Sequence, residues 1–102
     1  MIHQHIGTIR KSCFNKNCIS IMDFFLSHAE LYFTPYTTAL SMEKTPATIK
    51  DCMRLLKQNS YLSKLSDEGS VYHITLENME FWRVDFKRHI LDLENQKNEN
   101  FK

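Results

Sequence analysis

Residues 34–76 read TPYTTALSMEKTPATIKDCMRLLKQNSYLSKLSDEGSVYHITL, and the order of signals in them specifies the architecture. Thr34-Pro35 is a helix start: threonine caps, and proline at the first helical position lacks only an N–H that would find no partner there. This helix is expected to end near Met42, with Ala39 and Met42 facing inward and residues 43–45 as a turn. Thr45-Pro46 repeats the signal and opens a run to Asn59 in which Ile49, Cys52, Met53 and Leu56 share one face by helical spacing. The opposite face holds Ala47, Lys50, Asp51, Arg54 and Gln58. After Asn59 and Ser60 the pattern alternates. Residues 61–65 and 71–76 are rich in β-formers and bracket Ser66-Asp67-Glu68-Gly69-Ser70, which predicts a hairpin.

On the N-terminal side, Cys18, Ile21, Met22, Phe25 and Ala29 lie along one helical stripe, which predicts a helix over residues 18–29 with Asn17 as its cap. Phe24 and Ile19 fall off that stripe, so either the helix is buried on a wide arc or a second element, such as a late helix or a partner chain, covers its flank. Downstream, Met79, Trp82, Phe86, Ile90 and Leu93 recur at helical spacing, with Thr75 or Asn78 able to cap the helix. Phe81, Val84 and Leu91 lie on its other faces, which predicts packing both on the chain itself and on a second copy. The expected fold class is mainly α with a small β-hairpin: a winged helix-turn-helix plus a long C-terminal helix. Residues 1–17 form an N-terminal arm or extra helix, 18–76 the winged helix-turn-helix, 77–94 the dimerisation helix and 95–102 a frayed tail. In the arm, Ile2, Ile6 and Ile9 stand beside Arg10 and Lys11, compatible with a packed helix, an exchanged strand or a basic tail.

A chain of 102 residues, 42% of them apolar and 25% charged, buries one modest core and has room for one site. No apolar run approaches the ~18 residues of a membrane span, and the N-terminus lacks a secretory layout, so no membrane partner and a cytoplasmic location are expected. Three cysteines, an odd number, provide no disulfide framework and agree with a reducing compartment. The net charge of +1 hides a segregated distribution. Residues 44–64 carry Lys44, Lys50, Arg54, Lys57 and Lys64 against Asp51 alone, a local excess of +4, and the remainder of the chain beyond Lys64 is mildly acidic. That positive field lies over the second helix of the pair, where neutralising phosphates would require it.

His3, His5, Cys13 and Cys18 have zinc-donor chemistry, but their spacing matches no specific finger, and an arm plus a core cysteine accounts for them. No metal or cofactor is expected. His28, His73 and His89 are scattered, without an adjacent nucleophile, paired carboxylates or a glycine-rich loop, so the chain is not expected to be an enzyme.

The quoted stretch resembles the core of the winged helix-turn-helix transcriptional regulators of bacteria and archaea, the group containing the arsenical-repressor, multiple-antibiotic-resistance and PadR families. The resemblance covers residues 18–94. It rests on Thr34-Pro35, Ala39, Thr48-Ile49, Met53 and Leu56, and on Tyr61-Leu62 leading into the wing. It implies contact with DNA by Thr48, Lys50, Asp51 and Arg54, and a backbone-contacting role for the wing. The local charge adds Lys44, Lys57 and Lys64 to the expected interface. Where these regulators usually have glycine at the helix end, this chain has Ser60, so Asn59 or Ser60 must take the left-handed conformation. Asp67 and Glu68 stand at the wing tip where Arg or Lys is common, and no paired cysteines mark an arsenical-repressor metal site.

The expected function is a sequence-specific transcriptional regulator that binds double-stranded DNA as a homodimer. Helix 47–59 would read the major groove, and Met79, Trp82, Phe86, Ile90 and Leu93 would pair the subunits. A winged-helix adaptor for another protein, and a replication or recombination accessory protein of a mobile element, are the competing readings.

Overall fold

The computed structural model describes residues 13–100 and is mainly helical with one small antiparallel hairpin. Residues 1–12, which hold most of the expected arm together with His3 and His5, lie outside the described residues.

The first helix, α1 (Lys16–Ser27), starts behind Asn15, whose Oδ1 accepts the Cys18 N–H at 2.9 Å. The cap is therefore Asn15 and not Asn17. Phe14, just before it, lies 5.3 Å from the Trp82 ring and stacks on His89 at 4.6 Å, which fixes the chain's entry into the helix at that point. The stripe of Cys18, Ile21, Met22 and Phe25 is buried as expected. Phe24 is covered within the chain by the rings of His28 at 4.5 Å and Phe33 at 4.8 Å, so no partner is needed there.

The second helix, α2 (Pro35–Met42), opens with a reciprocal capping box: Thr34 Oγ1 accepts the Thr37 N–H and Thr37 Oγ1 accepts the Thr34 N–H. The third, α3 (Pro46–Gln58), has Thr45 at its cap position, but the Thr45 hydroxyl donates to Thr48 Oγ1 at 3.1 Å and caps no backbone N–H. Ile49, Cys52, Met53 and Leu56 form its buried face. Thr38, on α2, is also fully buried, its hydroxyl satisfied by the Thr34 carbonyl at 2.8 Å.

Both α2 and α3 stop in the same way. Lys44 N–H reaches the Ala39 carbonyl and Glu43 N–H the Leu40 carbonyl, and Tyr61 N–H and Ser60 N–H do the same to Leu56 and Lys57. This wrap needs a left-handed residue, here Glu43 at φ 56° and Ser60 at φ 67°. A side chain in that region costs roughly 1 kcal/mol relative to glycine. Glu43→Gly and Ser60→Gly are each expected to raise stability by about 0.5–1 kcal/mol, read as a higher thermal midpoint.

After Ser60 the chain runs through β1 (Ser63–Lys64) and β2 (Tyr72–His73), paired antiparallel with Ser63 opposite His73 and Lys64 opposite Tyr72. The strands are shorter than the alternation predicts because the Tyr61 N–H is taken by the Leu56 carbonyl that closes the preceding helix and Thr75 caps the following one, while Leu65 and Val71 share the last bond before the turn. Phe33 adds a third edge: its N–H donates to the Tyr72 carbonyl at 2.9 Å and its carbonyl accepts the Tyr72 N–H at 2.7 Å.

The last helix, α4 (Leu76–Asn100), runs past the expected end at residue 94, since residues 94–100 contain neither proline nor glycine to stop it. Trp82 stacks on Phe86 and meets Tyr61 edge-on at 5.1 Å, while the Tyr61 hydroxyl donates to Asp85 at 2.6 Å. Among the described residues no helix is long and apolar enough to cross a membrane.

Candidate functional site

A groove of about 350 Å³ lies between α3 and the hairpin. Lys50, Arg54 and Lys57 recur at i, i+4 and i+7, so helical geometry stacks them along the wall that faces the hairpin. Lys64 of β1 and Tyr72 of β2 close the other wall, with Gly69 and Ser70 at the turn end and Pro35 at the foot of α2. Among the described residues no carboxylate lines the groove.

Position here comes from the cap and turn chemistry. Asn78, buried at the start of α4, accepts the Thr75 N–H and the Ser63 hydroxyl, each at 2.9 Å, through Oδ1. Its Nδ2 donates to the Ser60 carbonyl at 2.8 Å. One side chain thus ties the end of α3, the first hairpin strand and the start of α4.

The Lys64 ammonium donates to the Asp67 carbonyl at 3.0 Å and sits 5.9 Å from the centre of the Tyr72 ring. It is held by a backbone oxygen and a π-face, which leaves its charge unneutralised. Burial pushes the Tyr72 phenol up, with the nearby Arg54 guanidinium pulling it partly back, so at neutral pH Tyr72 is a protonated donor. Arg54 meets Asp51 at 3.8 Å on the exposed helix surface, a loose pair worth little and readily exchanged for another anion.

Of the residues expected from sequence, the groove gathers Lys50, Arg54, Lys57 and Lys64 and leaves out Lys44, Thr48 and Asp51. Lys44 is exposed in the turn between α2 and α3, its N–H used in the helix end. Thr48 and Asp51 are exposed on α3, one turn apart on the stripe beside the cations. Tyr72 and Ser70 join the groove without a motif to mark them; for Tyr72 the available signal is the alternation that buries it and Ile74 around His73.

The expected subunit-pairing residues divide. Trp82 is 4% exposed, covered by Tyr61 and Phe14, and Met79 and Phe86 are half-buried on the same core. Only Ile90 and Leu93, at 38% and 44%, remain open, with Phe81, Val84 and Leu91 exposed on neighbouring faces. The first half of the stripe is spent on the chain's own core because α4 crosses Tyr61 there.

Cys13, Cys18 and Cys52 come together beneath α3 as buried free thiols. Burial, reinforced by Cys52, pushes the Cys13 thiol up to about 12 against the lowering effect of Asn59, whose Nδ2 lies 3.3 Å from the sulfur. Burial and a thiol contact with Cys52 also push Cys18 up. All three behave as small apolar side chains. Among the described residues no group of three or more His, Cys, Asp or Glu is placed to hold a metal ion.

Comparison with family models, with curated proteins and with solved structures finds no match to this chain.

Proposed function

We propose that the chain is a winged helix-turn-helix protein that binds duplex DNA and regulates transcription. In this reading α2, the turn at Glu43–Thr45 and α3 are the helix-turn-helix, and the hairpin with the Phe33 edge is the wing. The observation that carries it is the convergence of Lys50, Arg54, Lys57 and Lys64 on one groove without an opposing carboxylate.

The electrostatics and the shape support the same partner. An exposed helix about 10–12 Å across with its side chains matches the ~12 Å width of the major groove. The cationic stripe would meet phosphates while Ala47, Thr48 and Asp51, on the adjacent stripe, would face base edges. A carboxylate there is tolerated where it accepts a hydrogen bond from cytosine N4. The open end of α4, with Ile90, Leu91 and Leu93, would join a second copy and place two reading helices about 34 Å apart, which predicts a palindromic site.

Binding of the purified chain to random duplex and to a selected pool, followed by fluorescence anisotropy, tests the reading. Four phosphate contacts predict an affinity loss of about a hundredfold between about 50 and 200 mM salt, with enrichment of a palindrome. Absence of binding at low salt would overturn it. The exposed Asp67 and Glu68 at the hairpin tip favour a second reading, a protein-interaction adaptor, which would then lead.

A further inference from the structure

We infer that the groove between α3 and the hairpin is a discrete seat for a phosphoryl anion, with Lys64 as its fixed ligand. Most surface lysines are free, hydrated charges that bind anions diffusely. Lys64 differs: it is half-buried, tethered to the Asp67 carbonyl at 3.0 Å, and laid over the Tyr72 ring. The bond to Asp67 lies at the exposed surface, so it meets only part of the cost of ordering that side chain before a ligand arrives.

The opposite wall supplies Arg54, whose guanidinium presents paired N–H donors suited to phosphate oxygens, with Lys50 and Lys57 one turn to either side. Arg54 and Tyr72 line the same groove from its two walls. Ser70 lines the groove at the turn. The carboxylates of the turn, Asp67 and Glu68, are exposed and do not line the groove. A volume of about 350 Å³ corresponds to roughly twelve waters at about 30 Å³ each, enough for more than one linked phosphoryl group.

The seat uses the same groove as the DNA reading but does not require that reading to hold. A free polyphosphate and a nucleic-acid backbone offer the same anion, and the experiment separates them. Inorganic tripolyphosphate is titrated into the full chain and followed by calorimetry and by amide resonances. The same protein is then titrated with duplex DNA. Wild type is compared with Lys64→Gln, Arg54→Gln and Lys87→Gln, the last on the exposed surface of α4.

Saturable one-to-one binding of tripolyphosphate is expected, with the largest resonance shifts at Gly69, Ser70 and Tyr72. Lys64→Gln and Arg54→Gln should each weaken it by about tenfold or more, the loss expected for one charge-assisted hydrogen bond, and Lys87→Gln should leave it unchanged. Weak, unsaturated binding spread over the lysines, or equal weakening by Lys87→Gln, would overturn the seat. If tripolyphosphate binds as expected and duplex does not, the seat stands and the DNA reading falls. If duplex binds and tripolyphosphate does not, the seat falls and the DNA reading survives. Displacement of duplex by tripolyphosphate supports the seat and identifies a backbone phosphate as its occupant on DNA.

Discussion

Asn78→Leu is expected to destabilise the fold by about 3 kcal/mol, the cost of losing three hydrogen bonds that join separate elements. Leucine fills nearly the same space, so the loss is not a cavity effect. The substitution removes three hydrogen bonds, to the Ser60 carbonyl at 2.8 Å and from the Thr75 N–H and the Ser63 hydroxyl at 2.9 Å each, and each is worth about 1 kcal/mol at these part-buried sites. Against the roughly 5–15 kcal/mol of an ordinary domain this is a large fraction. The corresponding fall in thermal midpoint is on the order of 15 °C for a chain of this size. Ser63→Ala removes one of the three bonds and leaves the other two, so its loss should be smaller, about 1 kcal/mol. Equal losses in the two variants, measured by thermal melting, would show that the hydrogen bonds are not what Asn78 contributes.

Arg54→Glu is expected to reduce duplex affinity by about a hundredfold or more at low salt while the melting temperature stays near wild type. The side chain is largely exposed, and its partner Asp51 is an exposed neighbour, so the fold loses little. The groove, by contrast, exchanges a cation for an anion among Lys50, Lys57 and Lys64. The neutral Arg54→Gln should instead lower the salt slope by about one, the signature of a single phosphate contact. Anisotropy titrations of both variants across a salt series measure this, and wild-type affinity in Arg54→Glu would remove α3 from the interface.

Much of the helical architecture is legible in the chain because its signals are local. Thr34-Pro35 and Thr45-Pro46 mark helix starts through proline geometry, and the buried face of α3 comes from spacing alone. Spacing sets the cap of α1 two residues late because Asn15 and Asn17 are chemically equal candidates. What chooses between them is Phe14, held by Trp82 and His89 from the far end of the chain. Phe33 cannot be assigned from its neighbours either, since its two bonds go to Tyr72.

The candidate site divides along the same line. That α3 is cationic on its outer face needs nothing beyond the residue order, since charge and helical period are both read along one segment. Residue order does not separate Lys50, Arg54 and Lys57, which face the hairpin, from Thr48 and Asp51, which do not. That distinction depends on where β1 and β2 lie, and their place is set by Asn78 holding Ser60 and Ser63 together across 18 and 15 residues of chain. The aromatic stripe of α4 is equally visible, but whether Trp82 meets this chain or another is decided by Tyr61 and Phe14 arriving over it. Periodicity gives a residue's face on its own element; which surface that face meets is fixed only when distant segments compete to bury the same apolar area.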